Sequence, residues 1–173
     1  NRLSYFLWSS LPDNELYQMA KENKTDSRAS MKEQTERLLS DPRSKSFVRG
    51  FADSWLRLDK LGTMPPASLK FREYYRYGLK EAMLEETHRF LGNAIKENAP
   101  RTDFIHSDYG FLNQDLARHY GMRGIEGIHF RKVSFPEDSV RGGLLGQASI
   151  LTLTANGVDT VSYTHLRAHE TSI

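Results

Sequence analysis

Apolar residues recur at helical spacing through the first 120 residues, and residues that start or stop helices interrupt this pattern. Pro12 cannot continue a helix, and Asp13 directly after it is a favoured N-cap. Asp41-Pro42 combines an N-cap with a proline at the first helical position, and Gly121 follows the apolar pattern of Asn113–Tyr120. The pattern predicts a mainly α-helical, bundle-like fold.

Two segments have the clearest helical patterns. The helix after Pro42 is predicted to bury one apolar face, made of Phe47, Val48, Phe51, Trp55, Leu56 and Leu58. The pattern also predicts one long helix over at least Glu73–Lys96. Its predicted buried side comprises Leu79, Met83, Leu84, Thr87, Phe90, Leu91, Ala94 and Ile95.

The character of the chain changes after Gly121. The stretch His129–Phe135 is short, β-branched and aromatic, which predicts a strand. After a turn near Pro136, a new apolar segment runs from Arg141 to about Thr154. We therefore expect a helical domain with a short β segment over residues 1–135 and the start of a second, truncated domain over residues 136–160. The apolar residues from Leu144 onwards are then expected to be only partly buried.

The composition excludes several classes of site. The 173 residues include no cysteine, so disulfides, thiolate nucleophiles, cysteine-ligated metals and covalently attached haem are impossible within this segment. The formal net charge of +2 is too small for a nucleic-acid surface, and the charges alternate in sign along the chain. No apolar run approaches the length of a membrane span.

The last thirteen residues are expected to differ in origin from the rest of the chain. Residues 161–173 back-translate to a DNA string that resembles an adaptor used in transposase-based sequencing libraries. We expect this tail to be a translated adaptor and exclude it from functional argument. His165 and His169, which would otherwise suggest half of a metal site, are excluded with it.

A Glu-x-x-His pair at Glu85 and His88 matches the pairs that di-metal carboxylate bundles direct inward. Such a site needs a second pair on another helix and further inward glutamates, and the predicted helices contain no second pair. Helical phase places Glu85 opposite the core side and His88 on its flank. We therefore predict surface residues and no metal site.

Three other short patterns favour structural explanations. The run His106-Ser107-Asp108 contains the residue types of a hydrolytic triad, but triad members meet in space and no nucleophile elbow is present, so Asp108 is predicted as a turn or cap residue. The run Arg141-Gly142-Gly143 could hold an anion, although a close-packed turn is favoured. The tyrosines of Tyr74–Tyr77 resemble a stacking surface and are predicted to be the aromatic shoulder of a helix.

Asp115 and His119 lie one helical turn apart on the predicted helix before Gly121. They could form a weak ligand pair. An exposed charge pair near a helix C-terminus, where a cationic histidine is favoured, explains them without a metal.

Several segments in order resemble a helical domain of unknown function from large, predicted-secreted, cytochrome-like proteins of planctomycete type. The matching segments are Arg2–Asp13, Leu38–Arg43, Phe51–Leu56, Glu86-Thr87, Asp108–Asn113 and Leu116–Gly121. The uncharacterised domain that usually follows is resembled by Arg141–Ala148 and Leu151-Thr152.

The resemblance implies an association with redox proteins, and it assigns no activity to the helical domain itself. Parent proteins of this type often carry a separate c-type haem domain and look exported to the periplasm or beyond. The leading hypothesis is a non-catalytic helical module that binds no cofactor or metal and positions that haem-binding domain or an electron-transfer partner. The alternative is an enzyme domain that uses Asp115, His119 or Arg141 on an unknown substrate; the resemblance itself supplies no catalytic residues.

Overall fold

The computed structural model describes residues 1–24, 27–63, 65–136, 139 and 141–155. The α-helices of this part of the chain are α1 (Arg2–Trp8), α2 (Asn14–Lys21), α3 (Arg28–Ser40), α4 (Lys45–Leu56), α5 (Arg72–Arg76), α6 (Leu79–Lys96), α7 (Gln114–His119) and α8 (Ala148–Leu153). The strands β1 (Tyr109–Leu112) and β2 (Arg131–Ser134) pair antiparallel, with Tyr109 opposite Ser134. The fold is mainly α with a short β segment, as predicted.

Two predicted capping residues, Asp13 and Gly121, begin and end helices in the structure, and Asn113 is a further cap. Asp13 accepts a hydrogen bond from the Leu16 backbone N–H at 3.1 Å and so caps α2. Asn113 caps α7 in the same way through Leu116, at 3.0 Å. Gly121 follows α7 with φ of +73°, the left-handed conformation that glycine favours.

The N-terminal helices pack around a buried tryptophan. Trp8 is 3% exposed, packs with Leu38, and donates its indole N–H to the Leu38 carbonyl at 2.9 Å. Arg37 of α3 forms a bidentate pair with Asp13, with N–O distances of 2.7 and 3.1 Å. This pair fixes the start of α2 against α3, and the Arg37 guanidinium lowers the pKa of the Asp13 carboxyl.

Helix α6 is the central element of the fold. It packs against α4, α5, α7, α8 and β1. Its buried side includes Met83, Phe90 and Leu91, each at most 2% exposed. Because so many elements contact this one helix, its inward residues determine what the core contains.

The predicted helix over Glu73–Lys96 is two helices, so the prediction of one helix was wrong. Helix α5 ends at Arg76, and Gly78 takes φ of +58° before α6 begins at Leu79. A left-handed residue cannot lie inside a right-handed helix, so the axis changes there. Apolar spacing continues across the break because both helices bury residues in the same core.

The predicted inward face of α4 was wrong for two of its residues. Phe51 is 42% exposed and Trp55 is 52% exposed, whereas Val48 and Ala52 are buried. The helix turns its Val48–Ala52 stripe toward α6, which leaves the neighbouring stripe at the surface.

Strand β1 was not predicted, although the strand at His129–Phe135 is confirmed as β2. β1 pairs with β2 across a connection that contains α7, so no short turn marks it as half of a hairpin. Gly110 of β1 lies against the ring of Phe135, where a Cβ atom would come within 2.6 Å of Cζ. A larger residue would displace that ring.

Residues 141–155 pack into the helical core. Leu144 is 4% exposed and packs with Phe90 and Tyr109, and Ala148 is 3% exposed. Leu145, in contrast, is 65% exposed. The apolar segment from Leu144 onwards is therefore partly exposed, as predicted, but only at particular side chains. The division into domains at residue 135 stays a prediction.

Two further predictions concern the chain as a whole. The tail at residues 161–173 lies outside the described residues. Over the part of the chain that the structure does describe, no helix has the length and apolarity needed to cross a membrane.

Glycine substitutions test the fold at two contrasting positions. Gly50 lies inside α4 with no atom within 4 Å of an added Cβ, so Gly50→Ala should stabilise the chain by about 0.5–1 kcal/mol. Gly143 has φ of +64°, and an added Cβ would lie 2.5 Å from the Ile105 carbonyl. Gly143→Ala should therefore destabilise it by more than about 1 kcal/mol. Urea midpoints measure both effects, and equal midpoints for the two variants would contradict the described backbone.

Candidate functional site: a buried carboxyl cluster

A glutamate lies inside the core of this structure. Glu86 of α6 is 1% exposed, and its Oε2 accepts a hydrogen bond from the Tyr120 hydroxyl at 2.6 Å. The same hydroxyl accepts a hydrogen bond from the Ala148 backbone N–H at 2.9 Å. One side chain from α6, one from the end of α7 and the first residue of α8 are thus joined in a single chain of hydrogen bonds.

Local sequence explains how these groups meet. Glu86 lies three residues after Met83 and four before Phe90, so it shares the inward face of α6 with them. Tyr120 directly follows α7, where the helix ends and its side chain turns toward the core.

A second hydrogen-bonded group lies beside the first. The Thr87 hydroxyl is within 2.7 Å of Gln147 Oε1 and 2.6 Å of the Ser149 hydroxyl, and all three residues are buried. Thr87 thus joins α6 to the segment that contains Ala148. Two adjacent residues of α6 therefore hold residues 147–149: Thr87 directly, and Glu86 through the Tyr120 hydroxyl.

Arg141 lies over the ring of Tyr120, with 3.9 Å between the guanidinium carbon and the ring centroid. Its Nη1 donates a hydrogen bond to the Gly146 carbonyl at 3.2 Å. The guanidinium is thus fixed by a cation–π contact and a backbone acceptor, near the buried carboxyl.

Glycines allow the loop at Arg141 to approach the core closely. A Cβ on Gly142 would lie 2.7 Å from the Ser107 carbonyl oxygen, and a Cβ on Gly143 would lie 2.5 Å from the Ile105 carbonyl. The Gly143 N–H donates to the Ser107 hydroxyl at 3.1 Å. The run Arg141-Gly142-Gly143 is the close-packed turn that was predicted.

Burial dominates the electrostatics of Glu86. Desolvation raises the pKa of the Glu86 carboxyl to about 8, although the Tyr120 hydrogen bond and the Arg141 charge both act to lower it. Desolvation and the neighbouring carboxyl raise the pKa of Tyr120. Near neutral pH the carboxyl therefore holds its proton.

The cavity at this cluster is small. Its volume is about 10 Å³, and Glu86, Tyr120 and Arg141 line it together with Gly142 and Gly143. This is about the space of one water molecule. The arrangement can bind a proton and tie three segments together, but it has no room for an organic substrate.

The profile of the family described as PSD4, protein of unknown function (DUF1592), matches residues 1–122. The chain belongs to this PSD4 family. No match was found among curated proteins or among solved structures. The match to the PSD4 family includes Glu86 and Tyr120, whereas Arg141 and Ala148 lie beyond it.

The structure brings together only part of the predicted set Asp115, His119 and Arg141. Asp115 forms an ion pair with Arg118 at 3.5 Å, so it does not pair with His119 as predicted. The rings of His119 and Tyr120 lie 5.7 Å apart, and Arg141 also contacts Tyr120. Desolvation, followed by the nearby Arg141 charge, lowers the pKa of His119.

Glu85 and His88 point to separate partners. Glu85 accepts from Arg49 at 2.9 Å and from Arg89 at 2.7 Å, while His88 Nε2 lies 2.8 Å from Asp53 Oδ1. Across residues 1–24, 27–63, 65–136, 139 and 141–155, no group of three or more His, Asp or Glu side chains is arranged to hold a metal ion.

The remaining short patterns have structural roles. Ser107 donates its hydroxyl to the Tyr109 carbonyl at 3.0 Å and therefore ties the loop to β1. In the tyrosine group, Tyr74 is buried in the core and Tyr77 lies under Arg118, with 4.8 Å from the guanidinium to the ring.

Glu86 was missed as a site residue, although the sequence contains a signal for it. Its place on α6 follows from the predicted phase, since Met83 and Phe90 were both assigned to the buried side. A carboxyl in that position needs a hydrogen-bonding partner or must remain protonated. Its partner Tyr120 is 34 residues away and could not be identified from spacing.

Replacing Glu86 by glutamine tests the buried carboxyl. The pKa of Glu86 is higher in the folded chain than in the unfolded chain, so the native state binds its proton more tightly. The stabilisation that this gives is complete below about pH 4.5 and is lost as the pH rises through about 8. One pKa unit is worth about 1.4 kcal/mol, so the wild-type chain should lose about 3–4 kcal/mol between about pH 5.5 and about pH 8.5 relative to Glu86→Gln.

Urea unfolding at about pH 5.5 and about pH 8.5 measures this difference. His119 acts in the opposite direction, because its lowered pKa removes stability as pH falls, but it does so equally in both chains. Glu81→Gln removes an exposed carboxyl from the same helix and should behave as the wild type. Parallel pH profiles for wild type and Glu86→Gln would contradict the buried, protonated state.

Proposed function

We propose that this chain is a non-catalytic helical module of a large exported, cytochrome-associated redox protein. It positions a haem-binding domain of the same parent chain or an electron-transfer partner, in the periplasm or outside the cell. The observation that best supports this proposal is a row of aromatic side chains at the surface of α1 and α4.

The aromatic row consists of rings in contact with one another. The ring centroids of successive members lie 5.0, 5.9, 5.4 and 6.3 Å apart. Its members, in order, are Phe6, Phe47, Phe51, Trp55 and Phe104. Three of these are exposed: Phe6 by 64%, Phe51 by 42% and Trp55 by 52%. Contiguous exposed aromatic surface is typical of protein interaction sites, where aromatic residues supply much of the binding energy.

The alternative, an enzyme domain, has less support. Of its candidate residues Asp115, His119 and Arg141, Arg141 lines a described cavity that measures about 10 Å³. A carboxyl with a pKa near neutrality is a feature of general acids, but Glu86 is buried and hydrogen-bonded to Tyr120.

We also propose that residues 136–160 lead from the helical module into the next domain. Part of this segment completes the core of the module, because Thr87 and Tyr120 both bond to residues 147–149. The connection would then be rigid on the side of the module.

A titration with the haem-binding domain of the parent protein tests the proposed function. The parent gene should encode a Cys-x-x-Cys-His motif and an export signal. Haem quenches tryptophan emission at short range, so binding of that domain should quench the exposed Trp55. The double variant Phe6→Ser/Phe51→Ser should weaken binding by at least about tenfold.

Leu69→Ser is the matched control, because Leu69 is 83% exposed and lies outside the aromatic row. It should bind as the wild type does. A parent gene without a haem motif, or equal affinity of the double variant and the control, would contradict the proposal.

Shortened chains test the assignment of the C-terminal segments. Residues 1–160 should match residues 1–173 within about 0.5 kcal/mol, as expected for a tail without selected partners. Residues 1–135 lack Leu144 and the Ala148 N–H donor and should lose at least about 3 kcal/mol. Thermal and urea unfolding compare the three chains. Equal stability of residues 1–135 and 1–160 would mean that the module is complete at residue 135.

A further inference from the structure

A groove of about 430 Å³ lies between α3, α4 and α6, apart from the Glu86 cluster. Its apolar surface comes from Val48 of α4, Ile95 of α6 and Phe111 of β1. Gly92 of α6 also lines it and contributes no side chain. The volume lies within the range of pockets that hold small organic molecules, which are mainly apolar with a few polar groups.

Two arginines are fixed at the side of the groove by one carboxylate. Glu85 accepts hydrogen bonds from Arg49 of α4 and from Arg89 of α6, at 2.9 and 2.7 Å. The two guanidinium charges are only half neutralised by Glu85. The pair therefore leaves one positive charge in excess, held between two helices.

Two lysines add further positive charge to the lining. Lys45 has no ion-pair partner among the described residues, and the nearest carboxylate to Lys96 is Glu97 at 4.0 Å. The other acidic residue of the lining, Asp41, is already bound by Arg43 through two hydrogen bonds of 2.8 and 2.9 Å. The lining thus carries four cationic side chains and two carboxylates, an excess equal to the +2 of the whole chain.

We propose that this groove binds a small amphipathic organic anion, with an apolar body against Val48, Ile95 and Phe111 and a carboxylate toward the basic side chains. An apolar floor alone would accept a neutral body equally well. Concave surfaces with one sign of excess charge concentrate the opposite charge, so the basic lining selects the anion. Arginines already oriented by Glu85 can donate to a second carboxylate with little loss of side-chain freedom.

Octanoate is the probe, because it combines a seven-carbon alkyl chain with one carboxylate. Two-dimensional NMR of the full chain should show amide shifts confined to residues 39–49, 85–96 and 111, with a Kd of about 1 mM or lower. Octan-1-ol and octyltrimethylammonium have an alkyl chain that is one carbon longer and carry no negative charge. Each should bind at least about tenfold more weakly.

Charge removal within the groove should weaken binding without affecting the fold. Lys45 and Lys96 are both exposed, so Lys45→Gln/Lys96→Gln should remain folded and lose octanoate affinity by at least about fivefold. The control Arg28→Gln/Lys32→Gln removes the same charge from the first turns of α3, about 10 Å or more along the helix from the groove residues Leu39 and Ser40. It should bind octanoate as the wild type does.

A steric variant separates the groove from the rest of the surface. Gly92→Leu places a side chain in the groove, near Val48, and should abolish the octanoate shifts. If that variant fails to fold, Lys45→Gln/Lys96→Gln and its control Arg28→Gln/Lys32→Gln still decide the result. Equal binding of octanoate and octan-1-ol, shifts that map to the aromatic row, or no shifts at all would each overturn the proposal. Because the proposed function rests on the aromatic row, the two proposals can fail independently.

Discussion

The hydrogen bond from Tyr120 to Glu86 belongs to a chain of contacts that connects three segments far apart in sequence. Glu86 belongs to the central helix, Tyr120 follows α7, and the Ala148 N–H completes the chain of donors and acceptors. Each of these groups is removed from water, and each is satisfied only if the other two segments are in place. The cluster therefore makes the position of residues 147–149 depend on the two helices that precede them.

A buried carboxyl is tolerated here because it need not be charged. Burying a carboxylate without a full counter-charge is costly, and Arg141 compensates only in part because it stacks on Tyr120 instead of bonding to Glu86. The protonated form avoids most of that cost and still accepts the tyrosine hydrogen bond. The described cavity at this cluster holds only about 10 Å³, and burial within the hydrogen-bonded core accounts for the raised pKa of Glu86.

Much of the helical framework could be predicted because its signals are local. Asp13, Asn113 and Gly121 act within one helical turn, so sequence alone identified the boundaries that they set. Gly78 was passed over because a single glycine does not interrupt an apolar pattern, although its φ of +58° ends one helix. Contacts between distant segments, such as that of Tyr120 with Glu86, leave no spacing to recognise.

Helix α4 has more apolar residues than the core buries, and this explains why Phe51 and Trp55 were wrongly predicted to be buried. Its apolar arc is wider than the surface that α6 and the rest of the core can cover, so Val48 and Ala52 are buried while Phe51 and Trp55 are exposed. A soluble helix whose apolar arc served only the core would carry polar residues in the exposed part. The surplus consists of aromatic rings in mutual contact, and on another side of the same helix Arg49 meets Glu85. One helix thus separates a core stripe from an aromatic surface and a charged groove, which is why periodicity alone could not distinguish its three faces.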